Sequence, residues 1–168
     1  MTKRIVTGLF VLAAFMIVPR VASAATDTDT FMFVPGIPGG SVDARHKDWI
    51  DVVSLQQSWP GTVRKHTSCD VTVVKALDIS GPKLWLAAVT GQLFAEIKIE
   101  AVKAGTNPVK FYELKLINVE ISSITTNGTG QSFVEDVVLS PQSATLSFFQ
   151  QNPDGSTGSP VTVTVPCN

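Results

Sequence analysis

Charged side chains are scarce in this sequence, and neither sign dominates. Only 16% of the 168 residues are Asp, Glu, Lys or Arg, the net charge is −1, and 44% of the residues are hydrophobic. A disordered chain needs low hydrophobicity and high net charge, so disorder is excluded for most of the length. No overall basic field attracts nucleic acid, and we expect no nucleic-acid partner.

Cysteine and histidine are also rare, with two of each. No CxxC, HxxxH or HExxH spacing brings them together, so we predict no metal site, and no motif suggests a cofactor. Internal repeats and long Glu/Lys/Leu runs are missing as well. Gly, Pro, Ser and Thr are common instead, which favours strands and turns over a helical bundle.

The first 24 residues have the pattern of a signal peptide. Residues 3 and 4 form a basic start, the apolar run Ile5–Val18 follows, and residues 22–24 (Ala-Ser-Ala) have the small side chains of a cleavage site. We expect cleavage between Ala24 and Ala25, which leaves a mature domain of residues 25–168. That domain has a net charge of −4, because the removed segment carries three basic residues and no acid.

An uncleaved membrane anchor and a core segment are the alternatives for this stretch. Its fourteen apolar residues are fewer than the roughly 20 that a membrane-spanning helix needs. No second stretch approaches that length, so we expect no stable membrane insertion after cleavage and a secreted or periplasmic protein.

Eight segments of the mature chain have strand character, being rich in β-branched and aromatic residues and bounded by turn residues. They are Phe31–Val34, Trp49–Leu55, Val71–Leu77, Ala95–Ala101, Phe111–Ile121, Phe133–Leu139, Ala144–Phe149 and Val161–Val165. In the long segment Phe111–Ile121 the alternation shifts by one residue, which indicates a bulge or kink that bends a sheet. The pattern predicts a mainly β fold, a compact barrel of about eight or nine strands with one short helix.

The short helix is predicted around Leu84–Val89. Ser80 is its expected cap, Pro82 lies in its first turn, and Gly91 ends it. A helix of two or three turns is not stable alone and must pack on a sheet, so we expect Trp85 to belong to the core.

Few residues suggest chemistry. His46, between Asp43 and Asp48, is interpreted as a solvated loop residue, and no catalytic residue is predicted. His66 precedes Cys69 by three residues, which leaves a Cys–His nucleophile as one possibility. In an exported protein with two cysteines we favour a Cys69–Cys167 disulfide, with two free thiols as the other alternative.

Four stretches in order resemble the haemolysin-coregulated protein (Hcp) family, the tube protein of type VI secretion systems. They are Trp49–Ser58, Val74–Val89, Phe111–Thr126 and Phe133–Gln150, and the resemblance covers nearly the whole mature chain. It implies a β-barrel with one helix and no catalytic site. It also implies a homohexameric ring that stacks into a tube and carries or chaperones effectors, with spike, sheath and effector proteins as partners.

Two features depart from the family pattern. Usual members lack a signal peptide, and their Gly-rich extended loop is replaced here by Trp59–Ser68. An exported monomeric β module that binds a ligand or surface glycan is the alternative function. A small hydrolase is the third, and the missing nucleophile–base arrangement argues against it.

Overall fold

A computed structural model describes residues 27–59, 69–105, 108–152 and 154–167. The predicted signal peptide, its cleavage site at Ala24–Ala25 and His66 lie outside the described residues. The described chain forms seven strands and one helix: β1 Thr28–Phe33, β2 Ile50–Ser58, β3 Asp70–Ala76, α1 Gly81–Thr90, β4 Phe94–Lys103, β5 Val109–Gly128, β6 Phe133–Gln151 and β7 Thr157–Pro166. No helix within the described ranges is long and apolar enough to cross a membrane.

The barrel is closed by pairing between β3 and β6. All strand pairs are antiparallel, in the order β3-β2-β1-β4-β5-β6, and the extra β3–β6 ladder joins the two ends of that row. Among the described strands, β7 pairs with β6 alone and lies outside the six-stranded barrel. The predicted mainly β barrel with one short helix is therefore confirmed.

The count of seven strands is lower than the expected eight or nine because two predicted strands are one. Segments Phe133–Leu139 and Ala144–Phe149 both belong to β6. Strand β5 pairs with both halves, and its Val119 lies opposite Pro141 at the point where a break was expected. A continuous partner strand thus carries β6 past its proline.

The barrel turns a corner at one level of three neighbouring strands. On one side of this corner the core residues include Phe94, Val119 and Leu139, and on the other side they include Ile97 and Leu116. The alternation of residues that face the core therefore shifts by one residue at the corner. In β5 the change occurs at Asn118, whose φ of 50° is in the left-handed region that Asn adopts more readily than most residues. This is the bend that the shifted alternation of β5 predicted.

Helix α1 packs along β5 and contributes only a narrow stripe to the core. Leu84 and Ala87 are buried, and Gly91 ends the helix with a φ of 62°. The expectation for Trp85 was wrong: it is 46% exposed, because the position next to Leu84 lies about 100° further around the helix. Ser80 occupies the cap position, but its hydroxyl donates to Asp78 instead of accepting from the helix.

Candidate assembly surfaces and buried polar clusters

A two-stranded flange extends the sheet beyond the barrel and is formed by β7 and residues 143–151 of β6. The register runs from Ser143 opposite Pro166 to Gln151 opposite Thr157. Along its far edge β7 pairs with no other strand of the described chain. Such an edge presents unpaired backbone N–H and C=O groups, which can pair with another chain.

The two faces of the flange differ in chemistry. On one face Phe148 lies opposite Val161 and Leu146 lies opposite Val163, and all but Leu146 are more than half exposed. This is the face that continues the barrel core, where Leu146 packs against the core. We call Phe148, Val161 and Val163 the flange apolar face.

The opposite face of the flange is a ladder of hydroxyl groups. The hydroxyl oxygens of Thr145 and Thr164 are 2.9 Å apart, and those of Ser147 and Thr162 are 3.0 Å apart. Cross-strand hydroxyl pairs of this kind hold an outer strand in register. The flange is thus an ordered extension of the sheet with one polar and one apolar surface.

A second exposed apolar surface lies on helix α1. Trp85, Leu86 and Val89 point away from the buried stripe, with Leu86 62% and Val89 74% exposed. We call these three residues the helix apolar face. The helix lies beside the half of β5 that β4 does not cover, since β4 begins at Phe94 opposite Val119.

The cysteines join the flange to the barrel. Cys167 follows β7, Cys69 precedes β3, and their sulfur atoms are bonded at 2.05 Å. Strands β7 and β3 run in the same direction along one edge of β6, end to end, and the Cys167 amide donates to the Gln142 carbonyl at the junction. The bridge therefore connects the end of one strand to the start of the next.

His46 is buried, contrary to the expectation of a solvated loop residue. Its ring stacks on Phe31 with centroids 4.2 Å apart and meets Trp49 edge-on. Nδ1 lies 2.7 Å from an Asp43 carboxylate oxygen and Nε2 lies 3.2 Å from a Glu100 oxygen. The loop before β2 thereby folds over the outer wall of the barrel and places the imidazole between two carboxylates.

The charges around His46 continue along the outer wall. Lys110 contacts Glu100 at 3.3 Å and also pairs with Glu113. The hydrogen bond that the His46 ring donates lowers the pKa of Asp43. The backbone amides of Arg45 and His46 donate to the same carboxylate and also lower its pKa. Each of these charges has a partner of opposite sign, so the row binds the loop to the barrel.

A second polar cluster is buried at the helix end of the barrel. Lys75 is fully buried, and its Nζ lies 2.6 Å from Glu135, 2.8 Å from Asp78 and 2.8 Å from the Ala76 carbonyl. Burial raises the pKa of Asp78, but the hydrogen bonds from Lys75 and Ser80 outweigh it and hold that pKa below its usual value. Asp78 also accepts from the Gly40 amide, so the cluster connects β3, β6 and the loop after β1.

Neither cluster has the composition of a metal site. Within the described ranges, no three His, Cys, Asp or Glu residues are grouped as ligands for a metal ion. Sequence reasoning missed both clusters, because each one is completed by a carboxylate from a distant strand. Glu100 joins the local pair Asp43 and His46, and Glu135 joins the local pair Lys75 and Asp78. The sequence did contain one signal, Lys75 next to the apolar pair Val73 and Val74 in β3.

Fold and surfaces together define a class of protein: a closed β-barrel whose prominent exposed features are a strand flange and apolar surfaces. The family described as "Type VI secretion system effector, Hcp" matches residues 31–152. The chain belongs to this family of hexameric-ring, structural and non-enzymatic secretion proteins, which confirms the sequence-based assignment. Membership of this family also confirms the expectation that the protein is secreted.

Individual relatives agree with this assignment. Protein hcp1 of Pseudomonas aeruginosa is 29% identical over 147 residues, which span 79% of this chain and 91% of that protein. The crystal structure of Hcp1 from Salmonella typhimurium superposes with a TM-score of 0.73 at 22% identity, covering 83% of this chain and 94% of the other. A type VI secretion system effector from Yersinia pestis gives 0.70 at 20% identity, covering 82% and 99%. These two structures share the fold.

Proposed function

We propose that the mature chain forms a closed six-membered ring that stacks into a tube and carries or chaperones secreted effectors. Membership of a family that forms hexameric tube rings supports the number six. The single observation that carries the proposal for this chain is the flange, because it combines an unpaired strand edge with exposed valines and a phenylalanine.

A soluble monomer has reason to avoid such a feature. Natural sheets protect exposed edges with charges, prolines or bulges. Strand β7 has Pro160 near its start and Pro166 at its end, but none of its ten residues is charged, and Val161 and Val163 lie between the prolines. An apolar, uncharged edge of this kind is accounted for if a neighbouring copy covers it.

Export is part of the proposal. A signal peptide over residues 1–24, removed between Ala24 and Ala25, would deliver the domain to the periplasm or beyond. The bonded pair Cys69–Cys167 supports this location, since disulfides persist in oxidising compartments and are rare in the cytoplasm. Effector, spike and sheath proteins are the proposed partners after export.

The test is the mass in solution of residues 25–168 with the disulfide intact. We expect light scattering at micromolar concentration to give six times the chain mass and negative-stain images to show annular particles. Raising the salt concentration should weaken the ring only modestly, because exposed ion pairs contribute little and apolar contacts supply most of the association. A single species of monomer mass at every salt concentration would contradict the proposal and favour a monomeric binding module.

A further inference from the structure

We propose that, in the ring, the flange apolar face of one copy packs on the helix apolar face of the next copy. This inference rests on the proposed ring and names the surfaces that close it. The occupant of each face is thus a second copy of this chain.

The positions of the two faces suit a head-to-tail contact. Strand β7 of the flange pairs with residues 143–151 of β6, on the side of β6 away from β5. Helix α1 lies beside the other half of the β5–β6 hairpin, as its first residue Gly81 approaches Glu135 and the chain after its end pairs with Val119. The two faces therefore occupy opposite corners of that hairpin. A ring of identical copies needs two different surfaces of this kind, because each copy contacts one neighbour with each of them.

The chemistry of the two faces also matches. Strand β7 contains no charged residue, and Lys83 is the only charged residue of α1. The Lys83 Nζ lies 3.5 Å from the Gly36 carbonyl oxygen. An aromatic side chain such as Trp85, set among aliphatic residues, is the typical centre of an interface.

Among the described residues, internal packing uses only part of the two faces: Val163 lines an apolar cavity with Trp59 and Leu146, and the other five side chains of the two faces lie outside the core cluster. The core already takes Leu84 and Ala87 from the helix, and Leu146 and Val165 pack against the core from the flange. The exposed apolar residues of the two faces are near neighbours of these buried residues on the same helix or strand. The disulfide and the hydroxyl ladder hold the flange in place, so little ordering is needed when a neighbour binds.

Charge substitutions at the two faces test the contact. Val161→Glu and Leu86→Glu should each raise the concentration at which the ring half-dissociates by at least about thirtyfold, the ratio that corresponds to the loss of an interface hot spot. Val53→Glu is the matched control, since Val53 is a 67% exposed strand valine outside both faces. It should leave the ring unchanged.

A double variant provides the decisive result. In Val161→Glu/Leu86→Lys every contact between copies would place a carboxylate opposite an ammonium group. The ring should therefore half-dissociate at a lower concentration than it does with Val161→Glu or Leu86→Glu alone. A carbodiimide should then link the two introduced groups between copies, and peptide mapping should find that link. This readout also works if one single variant fails to fold.

The outcomes separate the two proposals. If the unmodified protein is a monomer, the ring proposal itself fails. If the unmodified protein forms rings and both single variants form them equally well, the ring stands and the flange–helix contact is wrong. Restoration without the mapped cross-link would likewise overturn the contact.

Discussion

Replacing Lys75 by methionine should destabilise the protein strongly, because the substitution leaves the Glu135 carboxylate buried without its cation. Lys75 is fully buried and Glu135 is 1% exposed, with 2.6 Å between Nζ and the carboxylate oxygen. Breaking a buried ion pair from one side costs about 3–5 kcal/mol. A domain of this size has about 5–15 kcal/mol of total stability, so the loss is a large fraction of it.

The measurement is urea unfolding of residues 25–168 at pH 7 with the disulfide intact. The matched control is Lys98→Met, which removes a partly exposed lysine 3.8 Å from Glu96. That pair should contribute less than about 1 kcal/mol. The difference between the two lysine-to-methionine variants isolates the effect of burial.

The double variant Lys75→Met/Glu135→Met tests the reasoning further. Replacing both members of a buried pair by apolar residues of similar volume is often neutral or stabilising. We therefore expect the double variant to recover most of the loss. The reasoning is refuted if Lys75→Met costs less than about 1 kcal/mol, or if the double variant is as unstable as the single one.

Three further predictions concern the disulfide, acid stability and processing. Replacing Cys69 and Cys167 by serine should lower the free energy of unfolding by about 4–5 kcal/mol, the chain-entropy value for a bridge of separation 98; equal urea midpoints would contradict this. Asp43 has a pKa held below its ordinary value of 3.8, so its ionised form stabilises the fold above that pH and the contribution is lost as pH falls through the folded-state pKa. The stability advantage over Asp43→Asn should accordingly be full at pH 7 and shrink below about pH 4, and an advantage that persists unchanged at pH 2.5 would argue against the His46 hydrogen bond as its source. Protein recovered from periplasm or medium should begin at Ala25 by intact-mass analysis, whereas a retained Met1 would show that the signal peptide is not processed.

Strand alternation was readable from the sequence because it depends on neighbours. Ile97 and Ile99 alternate with Lys98, and this local pattern specifies an amphipathic strand in any fold that buries one face. The end of α1 at Gly91 was equally local, since a left-handed φ of 62° favours glycine there. The shifted alternation in β5 even indicated the barrel corner, because the residues that face the core must change phase where the sheet bends.

The tertiary structure alone decided which distant residues meet. Lys75 and Glu135 are 60 positions apart and become neighbours only because the β3–β6 ladder closes the barrel in one register. His46 likewise finds Glu100 only after its loop folds over the wall of the barrel. Nothing local distinguishes a buried histidine from a solvated one, because burial depends on what packs above the residue. Trp85 and the flange follow the same rule: composition identified them as apolar, but only strand order and helix rotation determined that they face outward.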